Sequence, residues 1–125
     1  MPDAPRFPEP KKCTLWRDLK PLEKIAETFE AIETYMDESH HRRLLMRCRE
    51  CGHLYFYEFR EYVDYENGND PQYRTFIPVT SPEDAAALSS LPPGDIAECI
   101  PAIHIDWPKD EDRPSKFWLG RSDGV

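Results

Sequence analysis

The run from Met46 to Tyr57 constrains this chain more than any other, because a paired-cysteine turn, Cys48-Arg49-Glu50-Cys51-Gly52, leads directly into the aromatic stretch Leu54-Tyr55-Phe56-Tyr57. Two cysteines separated by two residues can aim both thiolates at one tetrahedral metal. The glycine that follows tolerates the positive φ that such a tight turn needs. The same spacing occurs in redox pairs, but those sit where a strand enters a helix whose N-terminus lowers a thiol pKa. Here a strand follows, so the spacing reads as a metal knuckle. Leu44-Leu45-Met46 forms the short strand leading in and residues 53–65 the long strand leading out, making a hairpin. Along the second strand Tyr55, Tyr57, Phe59, Val63 and Tyr65 share one face, which is expected to be the core. Leu54, Phe56, Glu58, Arg60, Tyr62 and Asp64 share the other.

Upstream, Leu22, Ile25, Phe29, Ile32 and Met36 recur at spacings of three and four. This period predicts a long amphipathic helix from Pro21 to about Glu38, with Pro21 in its first turn, Glu23, Glu27 and Glu30 off the apolar stripe, and His40 to Arg43 at its end. Its acidic face reads either as a solvated surface or as a docking face for a basic partner.

Beyond the hairpin, the turn-forming run from Glu66 to Pro71 separates the long strand from a further one at 73–79, where Pro78 marks a sheet edge or a strand end. Ser81, Pro82, Glu83 and Asp84 together predict a capped second, shorter helix reaching Ser89 or Ser90. Residues 99–107 alternate enough to supply a final strand, and Phe117, Trp118 and Leu119 are expected to pin the C-terminal segment to the body. The expected architecture is α+β: a small antiparallel sheet packed on one long amphipathic helix, with a knuckle hairpin and a second short helix. The 125 residues fit a single domain over 13–125, preceded by a flexible tail over 1–12 in which Pro2, Pro5, Pro8 and Pro10 remove backbone donors.

No apolar run approaches the roughly 20 residues that cross a bilayer. The start lacks the charged and apolar regions of a secretory leader, so the chain reads as cytoplasmic. In a reducing compartment the four cysteines are expected to be thiols or metal ligands rather than disulfides. A closed zinc site takes four ligands and there is no second Cys-x-x-Cys, so Cys13 and Cys99 are the leading candidates to join Cys48 and Cys51 around a structural zinc. His40, His41, His53 and His104 are substitutes, and each lone cysteine reads equally well as a small buried hydrophobe.

The knuckle resembles those of zinc-ribbon and rubredoxin-like proteins. That resemblance covers the local motif alone, and since the second knuckle usual in those proteins is missing, neither their fold nor their nucleic-acid or electron-transfer roles carry over. In size, acidity and its long aromatic hairpin the chain is also similar to the small immunity proteins with which bacteria neutralise their own toxins.

The net charge of −8 opposes general nucleic-acid binding and favours a basic partner. The basic cluster His40, His41, Arg42, Arg43, Arg47 and Arg49 is flanked by acids able to pair with it, leaving a zinc-stabilised nucleic-acid or transcription-associated module as the alternative. No phosphate loop, nucleophile elbow or His-Glu-x-x-His motif is present. His104, Asp106, Asp110, Glu111 and Asp112 form the best carboxylate and histidine cluster, too commonplace a pattern to indicate metal-dependent hydrolysis. The expected function is therefore that of a non-catalytic binding protein, an immunity-type antagonist that docks a basic, toxin-like partner. Glu58, Glu61, Asp64, Glu66 and Asp70 are its expected contacts.

Overall fold

A computed structural model describes residues 6–122. Six strands, β1 (Phe29–Glu38), β2 (His41–Cys48), β3 (Leu54–Glu61), β4 (Gln72–Val79), β5 (Ala102–Trp107) and β6 (Ser115–Leu119), follow one another in space in chain order. Every neighbouring pair is antiparallel. The helices are short: α1 (Ile25–Thr28), α2 (Pro82–Leu88) and α3 (Pro93–Glu98).

The expected long helix is therefore corrected. Residues Lys20–Lys24 form a 3₁₀ turn, α1 adds a single turn, and from Phe29 the chain is strand β1. The apolar spacing that mimics a helix arises from two irregularities in the β1–β2 pairing, between Ala31 and Glu33 and between Thr34 and Met36. Each places an additional residue on β1, Ile32 or Tyr35, which breaks the two-residue alternation and stretches the apolar spacing to three or four. Phe29, Ile32, Thr34 and Tyr35 also favour a pleated surface.

Both faces of the sheet are covered, so the odd face of β3 is one of two cores. On that face Leu44, Met46, Tyr55, Tyr57, Phe76, Ile103 and Ile105 pack under Cys13, Leu15, Leu22 and Phe29 from the segment that precedes and opens β1. On the opposite face Leu45, Phe56, Ile77, Val79 and Ala102 pack under Ala85 and Leu88 of α2, Ile96 of α3 and Cys99. Burying each large apolar side chain contributes about 1.5–3 kcal/mol, so the two layers supply most of the driving force for folding. Helix α2 opens on Ser81, whose Oγ accepts from the Asp84 amide at 3.2 Å, while the Asp84 carboxylate accepts from Thr80. Pro78 lies near the end of β4, beyond Phe76, where the β4–β5 ladder stops.

The first five residues of the expected tail lie outside the described residues. From there on, the Phe7 amide donates to the Ile100 carbonyl at 2.9 Å, Pro10 is buried, and the Glu9 carboxylate accepts from the Ser122 amide and hydroxyl. Trp118 of β6 donates its indole N–H to the Leu15 carbonyl, and its ring meets Trp16 edge-on at 4.8 Å. Residues 7–10 and 118–122 thus converge on the segment that carries Cys13.

Candidate metal centre

The hairpin turn between β2 and β3 is built as its sequence demands. The Cys48 amide donates to the His53 carbonyl at 2.9 Å and the Gly52 amide to the Cys48 carbonyl at 2.8 Å. Gly52 sits at φ +81° with open space where a Cβ would project, so a larger residue there would be strained by its backbone and not by crowding. The Arg49 amide donates to the Thr28 carbonyl, tying the turn to the end of α1.

Cys13 reaches this turn from a distant part of the sequence. Its amide donates to the Pro10 carbonyl and its carbonyl accepts from Trp16, a tight reversal that presents the thiol inward. The sulfur atoms of Cys13, Cys48 and Cys51 all lie within 4.8 Å of one another, with Cys13 and Cys48 buried and Cys51 exposed. Three thiolates on one tetrahedral zinc, each at about 2.3 Å, stand about 3.8 Å apart. The cluster therefore needs only small side-chain adjustment to hold a metal ion.

Its surroundings suit thiolate ligands. The Tyr55 hydroxyl donates to Cys13 Sγ at 3.2 Å, and the His53 amide lies 3.5 Å from Cys51 Sγ. Such donors orient metal ligands and spread their charge. Without a cation the same surroundings oppose ionisation: burial, reinforced by the neighbouring Cys51 and Cys48, pushes the Cys13 thiol up to about 12, although the Tyr55 hydroxyl and the Leu15 amide pull the other way. Burial likewise raises Tyr55 well above the ordinary phenol range. A bound divalent cation reverses this balance by matching the thiolates directly.

Cys99 is placed elsewhere. It lies on the other face of the sheet, packed with α2 and α3, where its thiol donates to the Asp95 carbonyl at 3.4 Å and burial holds it protonated up to about 11. His40 and His41, at or just before the start of β2, bond to Glu61 and Glu58, far from the Cys48 end of that strand. His104 stacks on Phe117. Only His53 adjoins the thiols: with Cys13 and Cys51 it lines a cavity of about 510 Å³ over the cluster, bounded by residues 9–13 and 51–53.

The chain matches no protein-family model, no curated protein and no solved structure.

The residues expected to meet a partner are largely engaged within the fold. Glu58 is only 1% exposed and receives Arg43, Arg60 and His41. Glu61 accepts from His40 and Gln72, Asp64 pairs with Lys109, and Asp70 accepts from the Asp64 amide, leaving Glu66 exposed on the loop. The basic cluster is largely paired with acids of the fold: Arg43 meets Glu58 in the interior, while Arg42 pairs with Asp37 and Arg47 with Glu30 at the surface. Asp110, Glu111 and Asp112 stand exposed on the β5–β6 loop, apart from buried His104, and among the described residues the cysteine trio is the group able to hold a metal.

The buried charge row is what sequence reasoning missed. Arg43, Glu58, Thr75 and His104, the buried polar side chains of the described residues, face one another in register across β2, β3, β4 and β5. A signal existed: Arg43 alternates with Leu45 and Glu58 with Phe56, so strand periodicity places both charges on an apolar face.

Proposed function

We propose that this protein is a non-catalytic binding protein of the immunity type, which docks a basic, toxin-like protein, and that a zinc ion on Cys13, Cys48 and Cys51 stitches its frame together. Zinc is favoured among metals because a site of clustered thiolates suits a borderline-soft ion without redox chemistry. The ion would join the N-terminal segment to the β2–β3 turn, and its chemistry there is structural.

The observation that carries the binding role is the acidic one of the sheet's two edges, strand β1. Among the described residues strand β1 pairs with β2 alone, and along it Glu33, Asp37 and Glu38 stand exposed with Ile32, which is 45% exposed, while Glu30 pairs with Arg47 and Asp37 with Arg42. These acids replace the more deeply engaged set on β3 and its loop as the surface for partner contacts. An edge of this kind offers unpaired backbone groups for strand addition and carboxylates for electrostatic steering. The acids beside Arg42, Arg43 and Arg47 would repel phosphate, which favours a protein partner over nucleic acid.

The test begins with the product of the neighbouring reading frame, co-expressed with this chain and checked for toxicity and co-purification. Reversing Glu33, Asp37 and Glu38 to lysine should slow association about tenfold or more at low salt while leaving the melting temperature nearly unchanged. Association that is indifferent both to these changes and to ionic strength would refute the proposed docking edge.

A further inference from the structure

We propose that His53 is the fourth protein ligand of the metal centre, closing it as a three-cysteine, one-histidine site. The inference rests on the metal reading above and adds to it the identity of the missing donor. A structural zinc takes four ligands, and the fold brings together three thiols. Cys99 is removed to the opposite face of the sheet.

Register places His53 next to this gap. Arg47 pairs with Leu54 at the last position of the β2–β3 ladder, and one step further the Cys48 amide donates to the His53 carbonyl. Cys48 and His53 therefore face each other across the hairpin with side chains on the same face, an arrangement in which Cβ atoms lie about 5 Å apart. His53 follows Cys51 by two residues and lines the cavity above the thiols. Neither ring nitrogen of His53 lies within 4.8 Å of all three sulfurs, so ligation would require the imidazole to turn toward them.

Two further observations point the imidazole at a ligand. Its Nε2 is buried with no hydrogen-bond partner, a costly state for a polar atom unless something completes it. Its ring rests edge-on against Tyr55 at 5.5 Å, and the Tyr55 hydroxyl donates to Cys13 Sγ, so one aromatic side chain braces two of the proposed ligands. Glu9, the carboxylate bordering the cavity, is occupied by the Ser122 amide and hydroxyl at 2.7 and 2.6 Å.

The experiment is a Co²⁺ titration of the full-length reduced protein, followed by absorption and by competition with Zn²⁺. Wild type should give intense tetrahedral d–d bands and thiolate charge-transfer bands. His53→Ala should weaken and shift the d–d bands and lower metal affinity by about a hundredfold or more, since even a residue that merely supports a ligand can be worth that much. His53→Cys should keep tight tetrahedral binding with the d–d bands moved to longer wavelength, and Cys99→Ala should leave the spectrum unchanged. If His53→Ala and His53→Cys both retain the wild-type spectrum and affinity, His53 is not a ligand and the fourth position is filled from the cavity. Failure of the metal reading looks different: wild type then takes up neither Co²⁺ nor Zn²⁺, or Cys48→Ser takes them up as well as wild type, and the role of His53 falls with it.

Discussion

At the start of β2, Glu58 lies buried among Arg43, Arg60 and His41. At its end, the thiols of Cys13, Cys48 and Cys51 lie together. Both groups occupy the same sheet, yet they meet the cost of burying polar atoms in opposite ways. Arg43 approaches Glu58 at 2.7 Å, and a second Arg43 nitrogen donates to the Ser89 carbonyl, so that region supplies its own counter-charges. The thiol cluster contains only groups whose negative charges repel, and in isolation Cys13 stays protonated up to about 12. One end carries charges of both signs, and the other would gain its counter-charge from a bound cation.

This contrast predicts different sensitivities. The largest effect should come from Cys48→Ser or from a strong chelator, which would remove the proposed metal cross-link between the N-terminal segment and the hairpin. A loss of about 5 kcal/mol or more is expected, below the roughly 10–16 kcal/mol binding energy of isolated zinc fingers because two apolar layers remain. Thermal unfolding followed in zinc and then in chelator would measure it, and equal midpoints would make the two ends alike.

Glu58→Gln should come next, at about 3–5 kcal/mol, because it leaves the Arg43 guanidinium buried without a matching charge. This loss should be the same with and without chelator, since the two regions lie at opposite ends of β2. Denaturant unfolding of the single and combined variants checks that independence, and strong coupling between them would contradict it.

Much of this organisation was legible in the sequence, for reasons that differ between elements. The hairpin, the strand at 73–79 and the cap at Ser81 declare themselves through local turn and capping chemistry. Strand β1 did not, because its bulges at Ile32 and Tyr35 give a strand the apolar spacing of a helix. The knuckle was readable because both its cysteines lie in one turn. Choosing between Cys13 and Cys99 was not, since the sheet that separates them forms from long-range pairing. Glu58 looked like surface because it is charged, and only the Arg43 opposite it across the ladder explains its burial.

The smallest expected effect concerns the buried row itself. Burial holds His104 below its ordinary value of 6.5, with the Arg60 charge acting in the same direction and Asp106 opposing. A depressed folded-state pKa means that the unfolded chain binds the proton more readily. The stabilisation is therefore present above about pH 6.5 and is lost as pH falls through the lower, folded-state value. His104→Gln should flatten this acid dependence relative to wild type at equal metal loading, as unfolding curves between pH 7.5 and 5 would show. Parallel curves would remove His104 from the account.

The measurement that bears most directly on the metal centre is elemental analysis of the protein purified without chelator. One zinc per chain is expected in wild type and in Cys99→Ala, and none in Cys13→Ser or Cys48→Ser. Wild-type protein that is folded, reduced and free of metal would contradict the account, leaving the three thiols as neutral side chains packed beneath Tyr55.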